Sequence, residues 1–173
     1  CFRSWNEYSA QKDFGSSDGG RLHLGLVPMP FVGDLLGATA YVLLLNPGLD
    51  PLDYYAEFGA ADYRAALLAN LSQSDPERGM LFLDPAFAFH SGYRYWHSRL
   101  TRVIQAIAVR VGKEYGEARQ LVQRRLCAIE VYPYHSTSWQ LPTRITSRLH
   151  SATLARSFVH DVVLPRAAAG DAV

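Results

Sequence analysis

Two short stretches of this chain carry side chains able to do chemistry. One is Leu45-Asn46-Pro47-Gly48, followed by Asp50, Pro51 and Asp53. The other is Glu130-Val-Tyr-Pro-Tyr-His-Ser136. Asn46 offers an amide that donates and accepts, Asp50, Asp53 and Glu130 offer carboxyl groups, and His135 offers a base that titrates near neutral pH. Such a set suits acid–base work or the orientation of a water. Glu130 is the most pointed of them, because it stands at the end of the apolar run Cys127-Ala-Ile. A buried carboxylate is costly unless it is paired or hydrogen-bonded. Plainer roles compete: a polar turn for Asn46, an ion pair with an arginine for Glu130, and a structural hydrogen bond for His135, His90 or His97. The chain holds no metal-ligand cluster, Walker loop, GxGxxG or GxSxG, so no metal and no cofactor are expected.

The elements that must position these residues follow from hydrophobic pattern. Tyr41 to Leu45 is an unbroken apolar run, which suits a central strand buried on both faces. Asn46-Pro47-Gly48 ends it, since proline lacks a donor and glycine permits positive φ. Cys127 to Tyr132 reads as a second buried strand, stopped by Pro133. Two parallel strands that end at proline open on one rim, where an α/β sheet places its site. Leu22 to Val27 alternates weakly as a strand, Pro28 to Gly37 reads as a loop, and Met80 to Leu83 as a short strand. Helices are expected at Asp62 to Gln73, Tyr93 to Val111 and Glu114 to Leu126. A last one opens at Ser147 or Arg148 and is stopped by Pro165. Before the first strand, Trp5 to Lys12 reads as a short helix and residues 15–20 as a loop. Alternating strands and helices point to an α/β fold in three layers, a mostly parallel central sheet flanked by helices.

Length and composition bound the rest. At 173 residues the chain reads as one domain, 1–173, with 49% apolar and 19% charged residues. Its formal net charge of +1 neither demands nor excludes a nucleic-acid partner, so only a local basic patch speaks. Two cysteines, Cys1 and Cys127, make no disulfide framework, and Cys127 reads as a small core residue. No stretch reaches membrane-spanning length and no signal peptide is seen. A chain that begins with Cys1 reads as processed or trimmed. A mature lipoprotein also begins with Cys, but Phe2-Arg3 is an unpromising continuation, and a cytoplasmic location is expected.

Leu45-Asn-Pro-Gly48 at the end of a buried strand resembles the first motif of the uracil-DNA glycosylase superfamily, in its Asn-Pro-Gly branches. Glu130-Val-Tyr-Pro-Tyr134 resembles, in spacing, a later strand end of that family, with Glu130 where the family has a base-reading Asn. The resemblance covers roughly residues 25 to 140. It implies that Asn46 positions the attacking water, that Tyr55 or Phe58 stacks on a flipped base, and that Gly48, Glu130 and Tyr134 contact the substrate. His135 is the candidate catalytic histidine. The family's last motif, a His-Pro-Ser-like loop after a further strand, is not in this chain, so that strand lies beyond Val173 or is absent. An ionised Glu130 only accepts, which suits a cytosine-type base with an exocyclic amino group; a protonated Glu130 would read another edge.

Three functions follow as expectations. The first is a DNA glycosylase-like hydrolase of DNA repair or phage defence in a bacterium, a monomer acting on DNA and on no membrane. The second is a non-catalytic nucleic-acid or nucleotide-binding domain of the same fold. The third is an unrelated small hydrolase that uses Asp50, Asp53 or Glu130 with His135.

Overall fold

The computed structural model describes residues 22–140, 146 and 148–173. The expected helix at Trp5 to Lys12, the loop at 15–20 and a helix start at Ser147 lie outside these residues. Three strands form one sheet in the order β1-β3-β2: β1 is Phe31–Val32, β2 is Ala40–Leu44 and β3 is Leu126–Glu130. Six α-helical segments accompany them among the described residues: α1 Pro51–Gly59, α2 Ala61–Ser72, α3 Ser91–Val111, α4 Tyr115–Arg125, α5 His150–Phe158 and α6 Leu164–Ala168. The architecture is α/β, but the sheet is small and mixed. β3 runs parallel to β2, with Leu44 beside Glu130, and antiparallel to β1, with Phe31 beside Ile129.

β3 is the middle strand, and all five of its residues are buried. Its side chains alternate between two cores, as strand geometry requires. Leu126 and Ala128 pack with Leu67, Met80, Leu81, Trp96, Ile104 and Val122. Cys127 and Ile129 pack with Ala38, Val163 and Phe158. Glu130 has the parity of Leu126 and Ala128, so it falls on the side of the larger core. Cys127 is the small core residue its run implied, and burial pushes its thiol up to about 12.

β2 is not the central strand. It lies at the sheet edge, and Leu43 is 52% exposed. Among the described residues its outer edge is met at one end, where Tyr41 N–H donates to Val173 O at 2.8 Å and Val173 N–H to Thr39 O at 2.9 Å. Met80 to Leu83 is not a strand either. Leu81–Leu83 is a buried 3-10 turn, which an unbroken apolar run does not distinguish from a strand. Leu22 to Val27 forms a turn held by polar partners. His23 N–H donates to His135 O, and Val27 N–H donates to both oxygens of Glu57 at 3.1 and 3.0 Å. Strand β1 lies within the stretch that reads as a loop.

The segment after Gly48 is helical. Pro51 occupies the first turn, Asp50 accepts from Leu52 N–H, and Asp53 accepts from Asp50 N–H, a reciprocal cap. The last helix does not stop at Pro165. It widens into a π turn over Val159–Val163 and resumes as α6 with Pro165 in its first turn. Proline removes a donor and crowds the preceding turn, and a wider turn before it accommodates both.

Candidate active site

The carboxyl ends of β2 and β3 leave the sheet side by side. Beyond the Leu44–Glu130 pair, Val131 N–H still donates to Leu44 O and Tyr132 N–H to Leu45 O, at 3.0 and 2.9 Å. The loops that follow are tied across each other. Asn46 Nδ2 donates to Ser136 Oγ at 2.9 Å, to Pro47 O at 2.8 Å and, at a longer 3.4 Å, to Tyr134 O. Two carbonyl acceptors fix which end of the amide is nitrogen. In return, His135 Nδ1–H donates to Gly48 O at 2.8 Å. The amide nitrogen of Asn46 thus belongs to the loop, and Oδ1 is the end left for a ligand or a water.

These loops wall a cavity of about 470 Å³, within the usual range for small-molecule sites. Asn46, Gly48, Asp53, His90, Glu130 and His135 line it with Phe82, Tyr95 and Trp96. A larger groove of about 640 Å³ runs along α2, lined mostly by alanines with Phe87 and Phe89. Asp62 and Arg78 bring charge to it, but no buried polar cluster converges there. The buried polar side chains converge on the smaller cavity instead.

Glu130 is 7% exposed, has no ion partner among the described residues, and its Oε2 has no hydrogen bond. Burial alone pushes its carboxyl up to about 8. At neutral pH it is mainly the carboxylic acid, with one O–H donor and one free acceptor. This is the hydrogen-bonding pattern of an amide, so the neutral form is the one its surroundings favour.

Asp53 is the hub of a second buried cluster. Its Oδ2 accepts from Asp50 N–H at 2.7 Å and lies 3.7 Å from His135 Nδ1. Its Oδ1 accepts from Ser91 Oγ at 3.4 Å and lies 3.2 Å from His90 Nε2. His90 caps α3: its Nδ1 accepts from Gly92 N–H at 2.9 Å, which places the proton of the neutral ring on Nε2, toward Asp53. The His90 ring is stacked between Tyr63 and Phe82, with centroids at 4.7 and 5.2 Å. Gly92 makes that packing possible, because a Cβ there would lie 2.6 Å from the Phe82 ring. Burial lowers the pKa of His135, opposed by the Asp53 carboxylate and the Gly48 carbonyl. His135 is therefore mainly neutral, and it serves as a strut between the two loops.

The fold brings Asn46, Gly48, Glu130 and His135 together. Tyr134 contributes its carbonyl to Asn46, while its ring does not line the cavity. Tyr55 and Phe58 stand apart, 49% and 65% exposed on the outer side of α1. Tyr55 meets Phe89 edge-on, and Phe58 stacks on Tyr54 with the Arg64 guanidinium over it. The aromatic lining of the cavity comes instead from Phe82, Tyr95 and Trp96. Trp96 lies on the apolar face of α3 and reads from sequence as core, and Phe82 sits in the buried 80–83 run. The Asp53–His90 pairing carries no spacing signal, since the two residues are 37 positions apart.

Among the described residues no group of three or more His, Cys, Asp or Glu is placed to hold a metal ion. None of their helices is long and apolar enough to cross a membrane. No protein-family model, curated protein or solved structure matches the chain.

Proposed function

We propose that this cavity hydrolyses the N-glycosidic bond of a nucleotide flipped out of DNA, on a fold of the uracil-DNA glycosylase type. One observation carries the proposal: the ends of two adjacent parallel strands bring Asn46 and a buried Glu130, whose Oε2 has no hydrogen bond, to one cavity lined by aromatics. A base entering it meets π faces from Phe82, Tyr95 and Trp96, and such stacking contributes about 1–3 kcal/mol per base. Glu130 donates to and accepts from the base edge. Asn46 Oδ1 accepts from a water and aims it at C1′ of the sugar. The C1′–N bond breaks with its electron pair on the base, the water oxygen bonds C1′, and the water's proton ends on the base. The Glu130 O–H strengthens its bond as the leaving base gains charge, so it stabilises the transition state more than the ground state. The Asp53 carboxylate is the negative group available to the cation that develops on the sugar.

Neutral Glu130 also decides base preference. It addresses a uracil-type edge, with a carbonyl and an N–H, as well as an amino-bearing cytosine-type edge. Only when ionised does it favour the cytosine type outright. The test is an oligonucleotide panel carrying different bases, scored for abasic sites. Abasic sites at uracil-type or modified pyrimidine positions support the proposal. Tight binding with no abasic sites favours a non-catalytic binding domain. Cleavage of small esters or phosphates, unaffected by Asn46→Ala, favours a hydrolase built on Asp53 and the histidines.

Gly48 gives a prediction of its own. Its φ is not positive, unlike that of Gly33, Gly79, Gly112 and Gly170, and a Cβ there would meet nothing within 4 Å. The turn therefore does not need glycine, and open space beside it is what a ligand needs. Gly48→Ala is expected to leave the melting temperature unchanged while slowing base release about tenfold, through a displaced near-attack geometry. A fall in melting temperature with unchanged release would instead make Gly48 a backbone requirement.

A further inference from the structure

Helix α3 has an unusual charge pattern for the element that closes one side of the cavity. Its 21 residues include Arg94, Arg99, Arg102 and Arg110 and no acidic residue. All four arginines are exposed, and Arg99, Arg102 and Arg110 form no ion pair among the described residues. Tyr95, Arg99, Arg102, Ala106 and Arg110 recur at three, four or eight residues and so form one exposed stripe. The stripe starts at the cavity, which Ser91, Gly92, Tyr95 and Trp96 line, and runs about 22 Å along the helix. The Arg99 guanidinium carbon lies over the Tyr95 ring, 3.5 Å from its centroid, so a cation sits beside the cavity-lining tyrosine. Val103 and Val109 are exposed between and beside the arginines.

We infer that this stripe is a track for a single nucleic-acid strand, with Arg102 and Arg110 on its phosphates and Tyr95–Arg99 as a stacking step next to the cavity. Charge complementarity favours a polyanion, because the chain as a whole is almost neutral and the positive charge of α3 is local. Aromatic and apolar side chains between the cations fit bases as well as phosphates, and the track ends at a cavity lined by Phe82, Tyr95 and Trp96. The inference extends the base-release proposal by naming where the flanking strand lies.

The test is fluorescence anisotropy with a labelled single-stranded oligonucleotide, using the full chain and the double variant Arg102→Glu, Arg110→Glu. Neither residue lines the cavity. The variant is expected to bind about tenfold more weakly, with a log–log salt slope shallower by about 1.4, or 0.7 for each lost phosphate contact. Base release at saturating oligonucleotide and the melting temperature should stay as in the parent. Parent-like affinity and salt slope in the double variant would overturn the inference. Equally tight binding of polyglutamate would also overturn it, by assigning the face to an acidic protein. Should neither protein release a base while the affinity and slope shift as expected, the track stands and the hydrolytic proposal falls.

Discussion

Asn46→Ala is expected to lower base release by at least about 10²-fold while leaving oligonucleotide affinity within about threefold. The amide nitrogen is held by Ser136, Pro47 and Tyr134, so Oδ1 is fixed relative to the loop and not free to swing. A water held this way matters when the C1′–N bond is breaking, not when the strand binds, and the loss should fall on turnover. Alanine also removes the tie between the two loops, so Asn46→Asp is the companion. It keeps an oxygen for the water but sets a second oxygen against two carbonyls. It should retain more activity than alanine at a lower melting temperature. Equal loss of affinity and turnover in Asn46→Ala, with activity tracking thermal stability across both variants, would reduce Asn46 to a turn residue.

The second large effect belongs to Glu130. Its carboxyl is raised from an ordinary 4.5 to about 8 by burial alone, so the folded protein holds this proton more tightly than the unfolded chain. The stability linked to that proton is complete below pH 4.5 and is lost as pH rises through about 8. Between those values the loss is at most about 1.4 kcal/mol per pH unit. Glu130→Gln keeps the shape, a donor and an acceptor, and has no proton to lose. Its melting temperature should be flat where the parent's declines. Base release should follow the same group. The parent is expected to lose uracil-type activity above about pH 8, as the O–H donor disappears, and its preference should move toward cytosine-type bases. In Glu130→Gln the ratio of the two rates should not change with pH. A flat pH–stability curve in the parent, or a ratio insensitive to both pH and the substitution, would remove Glu130 from base reading.

How much of this was legible in the sequence depends on where each signal comes from. The run through Cys127, Ala128 and Ile129 announced a buried strand, and proline after both runs announced a shared rim. Both hold because burial and chain termination are local effects. The same logic failed for β2. Apolar content alone does not say whether a strand has one neighbour or two, and here Leu43 faces outward at the edge. Tyr55 and Phe58 were the stacking candidates because the family resemblance places an aromatic shortly after the Asn-Pro-Gly turn. On α1 the inward positions are Asp53, Ala56 and Glu57, because two carboxylates find buried partners in the helix cap, the histidines and Val27 N–H. Polar satisfaction, which is invisible in the linear chain, reversed the helix face. Phe82, His90 and Trp96 reach the cavity only through tertiary packing, with Phe82 set against Gly92.

The most direct measurement of the central claim is product analysis of the oligonucleotide panel in ¹⁸O-labelled water. The account predicts free pyrimidine in solution and a single ¹⁸O on C1′ of the abasic sugar, in the parent and not in Asn46→Ala. An intact base in every strand, or a changed base still attached to its sugar, would contradict it.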